Sequence, residues 1–414
     1  MKIILAAKSV YPFHPFGGVQ KYVYYYAKHL AKAGVDVEIV APLDKGRPRT
    51  EYFEGIKYTL IYPSISSYLE LPIGWLGVHW FGRQLAHYLK GKQFNVLHSF
   101  DMAGLYYLNV PNRKPVIAHI FSDNYLCNPI SLMSYLSLFG FKPNDIKKAK
   151  IALSPFADLK TIAQYPAQYF FKTRPMYRYL AGCEQVFLEA ECFREEAVHL
   201  FDLDPAKVHI APVGVDLKYV RQRMEAAVLT KTQLGFSEQD LVLLTVNRLA
   251  ADKGIDKIIL ALKIIQQCIP YAKLVIVGQG YQESELLSLI TANNLTDHIR
   301  IVKNVREEDL YGYYRIADLY VCAFSYPGSS ISTLEAMAAG LPVITTAQPW
   351  LVAGGGNGTL ISDNHPSTIA QSVIALAKGD LKIKGAISSN IVKDYDWPII
   401  VRRILGLTKL GAWL

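Results

Sequence analysis

At 414 residues the chain exceeds what one ordinary hydrophobic core supports and suits two domains. Its residues are 51% hydrophobic and 19% charged with no low-complexity tract, which excludes a disordered or fibrous protein. A formal net charge of +9 points to an anionic partner (phosphate, nucleotide, acidic lipid or nucleic acid) without choosing among them.

The N-terminal MKIILAAKSVYPF has an apolar run too short for a signal peptide, and KIILAA predicts a first strand. GGVQKYVYYYAKHLAKAG predicts a helix closed by Gly34, and VDVEIVAP the next strand. NVLHSF and KPVIAHIF are short buried-strand candidates, and EQVFLEA followed by CFREEAVHLF reads as strand then helix. Residues 57–93 and 140–179 carry too little periodicity to assign. A second alternating series begins near residue 216. Its strands are LVLLTVNRL, AKLVIVG, IRIV, LYVCAF and PVITT; its helices are GIDKIILALKIIQQ, YQESELLSLITANN, EEDLYGYYRIA and STLEAMAAG. Such repetition implies a parallel sheet in each half, covered on both faces. The expected fold class is α/β, two doubly wound Rossmann-like domains whose strand carboxyl ends face a cleft. The boundary falls in VHIAPVGVD, giving domains 1–214 and 215–397.

Five cysteines (Cys127, Cys183, Cys192, Cys268, Cys322) lie scattered without a C-x-x-C pair. That argues against a disulfide framework or zinc site and for a reducing, cytosolic setting, in which the sequons at Asn294 and Asn357 are incidental. No segment supplies the roughly 20 apolar residues of a spanning helix, so the expectation is a soluble protein or one held at a membrane surface.

Several strand-to-helix junctions carry candidate chemistry. Gly17-Gly18 opens the first helix, where glycines admit a ligand to the backbone and the helix N-terminus offers N–H groups; a tight turn is the alternative. In VNRLAADKGIDKII, Arg248 ends a strand and Lys253 precedes a helix. Two cations at a sheet's carboxyl edge suit a diphosphate, and solvated loop charge is the alternative. Gly278 and Gly280 in AKLVIVGQGYQ do not complete G-x-G-x-x-G and read as packing or a cleft wall. In SYPGSSISTLEAMAAGLPVI one carboxylate, Glu335, sits in an otherwise tightly packing stretch, a cost unless something meets it. It suits the vicinal diol of a ribose, but Ser332 with Glu335 also spells the capping box S-x-x-E. His119, closing KPVIAHIF, is a candidate cleft residue and equally a structural histidine. Asp202-Leu203-Asp204 and Asp394-Tyr395-Asp396 read as a turn and a cap, since neither follows a strand as a metal-diphosphate site requires. No obligatory metal is expected, and nucleic-acid motifs are absent.

Together these stretches resemble, nearly end to end, the family 4 retaining nucleotide-sugar glycosyltransferases of the GT-B fold. FGGVQKYVYYYAKHLAKAGVDVEIVAP resembles the family's Gly-Gly helix and following strand, and VHIAPVGVD its linker. VNRLAADKGID resembles its phosphate-binding loop and STLEAMAAGLPVI its donor-binding helix. YDWPIIVRRIL resembles the terminal helix, 398–414, that completes the first domain. The resemblance implies a metal-independent hexosyltransferase using a UDP- or GDP-linked sugar as co-substrate, with no cofactor, and a glycan or lipid-linked acceptor. Glu335 would hydrogen-bond the ribose, and Arg248 and Lys253 would hold the diphosphate and act in catalysis. Gly17, Gly18 and Gly278 would contribute from the backbone, with His119 near the donor sugar. Base contacts would fall near 304–306. Pro327 stands where the family commonly carries a second glutamate, so sugar recognition is expected to differ, with Gly328, Ser329 and Ser330 offering N–H and hydroxyl groups. A nucleotide-sugar 2-epimerase and a catalytically degenerate binding protein are the alternatives. Lysines and arginines interleaved with aromatics across 141–179 suit docking on an anionic bilayer, on the cytoplasmic face of the cell membrane; a solvated basic loop over an aromatic core is the other reading.

Overall fold

The computed structural model describes residues 1–14, 17–43, 49–63, 74–121, 174–200, 203–325, 330–346, 349–352 and 356–408. The chain divides into two compact units, Met1–Pro212 with Ile400–Leu414, and Val213–Ile399.

The first unit is built on strands β1 (Lys2–Ala6), β2 (Asp36–Leu43), β3 (Thr50–Phe53), β4 (Ile56–Pro63), β5 (Val96–Phe100), β6 (Val116–Ile120), β7 (Gln185–Leu188) and β8 (Val208–Ile210). They form one sheet in the order β3-β4-β2-β1-β5-β6-β7-β8. The expectation of a wholly parallel sheet is corrected at one edge, where β3 and β4 form an antiparallel hairpin. Its two turn residues, Glu54 (φ 46°) and Gly55 (φ 78°), both take the left-handed conformation that a tight two-residue hairpin requires. The helix Gly18–Lys32 turns Tyr22, Val23, Tyr26, Ala27 and Leu30 inward, the helical spacing visible in the sequence. Beside it, buried Glu38 of β2 ties neighbouring strands together. It pairs with Lys2 of β1 at 2.8 Å and Lys57 of β4 at 3.4 Å, and accepts from Thr59 at 2.6 Å and Tyr88 at 3.2 Å.

The second unit carries β9 (Leu241–Val246), β10 (Ala272–Val277), β11 (Ile299–Val302), β12 (Leu319–Cys322), β13 (Val343–Thr345) and β14 (Gly358–Leu360). The order is β11-β10-β9-β12-β13-β14, parallel throughout. Its interior runs such as Val242-Leu243-Leu244 and Leu274-Val275-Ile276 are buried on both faces, as a covered parallel sheet requires. Strand order reverses between β9 and β12, the switch point at which open α/β sheets leave a crevice beyond their carboxyl ends. At the start of this unit, a side chain on Gly214 would run into the Trp397 indole at 2.7 Å, so the Gly-Val-Asp stretch owes its glycine to that ring. Asp216 then caps the helix Leu217–Ala226 through Tyr219 N at 2.9 Å.

Of the two sequons, Asn357 is fully buried and its amide donates to Leu351 O and Ser388 Oγ, whereas Asn294 is exposed. Among the described residues, Cys183 and Cys322 are buried free thiols and Cys268 is exposed.

Candidate functional site

The loop after β9 and the loop after β12 meet at the switch point. Lys253 lies in a short turn, Ala251–Lys253, and Gly254 follows at φ 63° as the first residue before the helix Ile255–Ile265. A side chain on Gly254 would strike the Ala323 carbonyl, so glycine is needed both for the backbone angle and for the close approach. Ser325 N donates to Asp252 O at 3.0 Å, closing the two loops on each other.

Within this junction the two cations differ. The Lys253 side chain is only 10% exposed; its ammonium sits 4.1 Å from the Phe324 ring centre and 3.0 Å from Asp252 Oδ2. The Arg248 side chain is 66% exposed, with Nη2 3.9 Å from the same Asp252 oxygen. One carboxylate thus gathers both cations at the carboxyl edge of β9. Asp252 is a site residue that the sequence pattern did not single out, although its place directly before Lys253 was the available signal.

Gly278 (φ 153°) and Gly280 are packing positions on the same edge. Side chains there would collide with the carbonyls of Asn247 and Leu249, and Leu249 N donates to Gln279 O at 3.0 Å. These glycines let the loop after β10 support the Arg248 loop, the packing role read from the sequence.

Glu335 is 4% exposed, in the helix Ile331–Ala338. Its Oε1 accepts from Tyr311 Oη at 3.2 Å and its Oε2 from Tyr314 Oη at 3.0 Å. Both tyrosines lie on the helix Glu307–Ile316, three residues apart and so on one face. Ser332 is not the cap that S-x-x-E suggested. Ser330 caps the helix, its Oγ accepting from Thr333 N at 3.2 Å, and Ser332 lies inside it with Oγ 2.8 Å from Ser330 Oγ. Tyr320 of β12 donates to Ser332 Oγ at 2.9 Å. Pro327, Gly328 and Ser329 lie outside the described residues. Near the expected base contacts, Asn304 is left-handed (φ 53°), and exposed Arg306 pairs with Glu308 and Asp309 at the start of the helix Glu307–Ile316.

In the first unit, Gly17 immediately precedes the helix Gly18–Lys32 in extended backbone, and no acidic residue stands in the first turn. His119 departs from the cleft-facing position expected of it. It lies within β6, pairs in register with Phe100 and Phe187, and its ring stacks between theirs at centroid distances of 4.8 and 5.3 Å. The imidazole is 1% exposed, with Nε2 2.9 Å from His98 Nδ1, and His98 in turn meets Tyr26 Oη at 3.1 Å. Burial pulls His98 down to about 3; burial and then His98 hold His119 well below the ordinary histidine range, so both rings stay neutral. Asp204 caps a short turn through Ala206 N, and Asp396 accepts at 3.2 Å from Leu217 N, far away in sequence.

Residues 16–219 match the family model described as Glycosyltransferase Family 4, and residues 229–391 the model described as Glycosyl transferases group 1. The chain belongs to the family 4 glycosyltransferases. Sucrose-phosphate synthase from Thermosynechococcus elongatus superposes on this family 4 chain with a TM-score of 0.77 at 18% identity, over 100% of both chains. Anabaena HepE in complex with UDP-glucose does so with a TM-score of 0.64 at 16% identity, also over 100% of both. These likenesses establish the GT-B fold of two Rossmann-like domains. Among curated relatives, the GDP-mannose:cellobiosyl-diphosphopolyprenol alpha-mannosyltransferase of Xanthomonas oryzae is 27% identical, over 49% of this chain and 52% of its own length. The phosphatidyl-myo-inositol mannosyltransferase of Mycobacterium leprae is 31% identical over 37% of this chain and 42% of its own. The chain spans about half the length of the curated relatives it matches.

Proposed function

We propose that this family 4 chain transfers a hexosyl group, with retention and without a metal ion, from a UDP- or GDP-linked donor to a glycan or lipid-linked acceptor. The observation that carries the reading is the junction of the β9 and β12 loops, where Arg248 and Lys253 gather at the switch point. Breaking the anomeric C–O bond leaves a nucleoside diphosphate with growing negative charge, and fixed cations at that place stabilise it. The donor classes follow the relatives, one named for GDP-mannose and one structure holding UDP-glucose; the acceptor class follows the diphosphopolyprenol and phosphatidylinositol in two relatives' names.

Thermal unfolding with UDP-, GDP-, ADP- and CMP-sugars in EDTA tests the donor side, with Glu335→Ala alongside. A ligand at about 100 times its dissociation constant adds roughly 2.7 kcal/mol. The expected result is a shift with one of the UDP and GDP classes, lost in the variant. No shift with any nucleotide sugar overturns the reading. A shift without transfer to any acceptor leaves a degenerate binding protein, and isomerised donor with no nucleotide released leaves a 2-epimerase.

An anionic membrane surface is the partner we infer for the first unit, at the cytoplasmic face. Most of the basic and aromatic stretch 141–179 lies outside the described residues; within them Arg174, Tyr177 and Arg178 are exposed. The helix Gly74–Leu89 adds an exposed row of Trp80, Arg83 and His87, followed by exposed Lys90 and Lys92, with no acidic residue from 74 to 92. No described helix is long and apolar enough to cross a membrane.

A further inference from the structure

We propose that Tyr314 and Tyr311 are positioning residues of the nucleotide site: their hydroxyls fix the Glu335 carboxylate in the orientation that receives a vicinal diol, and so set the preference for ribose over deoxyribose. The inference rests on reading Glu335 as the ribose-binding group.

Both tyrosines are buried to within 1% of full exclusion, and each donates to a different carboxylate oxygen, at 3.2 Å from Tyr311 and 3.0 Å from Tyr314. Tyr314 Oη also lies 3.2 Å from Ser332 O, one turn earlier on the helix that carries Glu335. Tyr320 holds that same turn through Ser332 Oγ at 2.9 Å. The rings form a ladder, Tyr311 to Tyr314 at 5.9 Å and Tyr314 to Tyr320 at 6.3 Å, so the three hydroxyls are held by packing as well as by their bonds.

The choice of donor matters. A lysine or arginine beside Glu335 would compete as a charge with any ligand hydroxyl. A phenol meets the burial cost with a neutral hydrogen bond and brings no competing charge. Burial, then the Glu335 charge, raise Tyr314 well above the ordinary tyrosine range, which keeps its proton in place as donor. A carboxylate accepts at about four sites, of which the two phenols take two. A glutamate side chain also loses substantial rotamer freedom on binding; one already held by two hydroxyls loses less when the diol arrives.

The test measures dissociation constants of UDP, GDP and their 2′-deoxy counterparts for the parent, Glu335→Ala, Tyr314→Phe and Tyr311→Phe, with melting temperatures alongside. The parent should favour the ribonucleotide by on the order of tenfold, the scale of a hydrogen bond to a charged group. Each phenylalanine variant should lower that ratio by about threefold or more while leaving the 2′-deoxynucleotide constant within about twofold. A variant that only loosened the fold would weaken both nucleotides alike, and that outcome overturns the proposal. So does an unchanged ratio in both phenylalanine variants when Glu335→Ala abolishes it. If Glu335→Ala keeps the parent's ratio, or the parent binds none of the four, the ribose reading itself fails and takes this inference with it. Should Tyr314→Phe not fold, Tyr311→Phe carries the same comparison.

Discussion

Arg248 and Lys253 stand five positions apart and share Asp252, yet substitution separates them. Lys253 is packed against Phe324, so Lys253→Ala removes a cation, a ring contact and a partner of Asp252 together. Arg248 is mostly solvent-facing, and a surface substitution of this kind usually changes stability by no more than about 0.5 kcal/mol. Arg248→Ala should therefore leave the melting temperature nearly unchanged while lowering turnover on the order of 10²–10³, the usual cost of one transition-state donor. Turnover equal to the parent's would return Arg248 to ordinary loop charge. Gly254→Ala tests the scaffold beneath them: with φ at 63° and the Ala323 carbonyl against the missing side chain, it should cost about 1–3 kcal/mol, read as a lowered melting temperature. At this scale the sequence was uneven. The Arg248–Gly254 loop could be located because its parts lie within one short stretch of chain. The partners of Glu335 could not, because Tyr311 and Tyr314 lie 24 and 21 positions away on another helix. The S-x-x-E pattern pointed to Ser332, whereas Ser330 takes the cap; a shift of two residues along a serine-rich stretch alters no composition signal. His119 follows the same logic, since a histidine in an apolar run gives no sign that Phe100 and Phe187 flank it in register.

The strands that could be read are the continuous apolar, β-branched runs, β1, β2 and β9 to β13 among them, because burial on both faces of a parallel sheet demands that composition. The β3–β4 hairpin escaped because its outer strand is a half-exposed four-residue edge, and its one signal, Glu54-Gly55, is a two-residue turn. β14 escaped because Gly-Thr-Leu opens on a glycine and is only part-buried, without the buried apolar run that makes the equally short β13 legible. Glu38 joins these elements and gives them a pH dependence. Burial alone would raise its pKa, but hydrogen bonds from Lys2 and Thr59 and the charges of Lys2 and Lys57 hold it at about 2, below the ordinary 4.5. A carboxyl depressed in the folded state adds stability above its unfolded value and loses that stability as pH falls through the folded one. The contribution should thus be whole above about pH 4.5 and fade toward about pH 2. It amounts to about 3 kcal/mol. Urea unfolding across this window should show the parent losing more stability than Glu38→Gln does, since the amide cannot titrate. Parallel curves for the two would mean that Glu38 is not the group that couples β1, β2 and β4 to pH.

For the molecule as a whole, the net charge of +9 is carried unevenly. The helix Gly74–Leu89 shows one side to the interior through Val78, Phe81, Leu85 and Leu89, while Trp80, Arg83 and His87 occupy the other. An exposed tryptophan, 44% accessible, is costly in water unless it has somewhere to go, and its amphipathic ring suits the headgroup level of a bilayer. Basic residues beside it gain about 1 kcal/mol each near an anionic surface, within a Debye length of about 8 Å at physiological salt. A lipid-linked acceptor would be presented at that surface. Flotation with phosphatidylglycerol vesicles should therefore exceed flotation with phosphatidylcholine, and the excess should fall as salt rises. Reversing Arg83 and Lys90 to glutamate should abolish most of it. Trp80→Ala should weaken binding to both lipids, since it removes apolar insertion and leaves the charge. Binding of the proposed nucleotide-sugar donor should stay at the parent's value in these variants, because none of these residues belongs to Val213–Ile399. Equal flotation on the two lipids would remove the membrane from the list of partners and return the basic row to solubility.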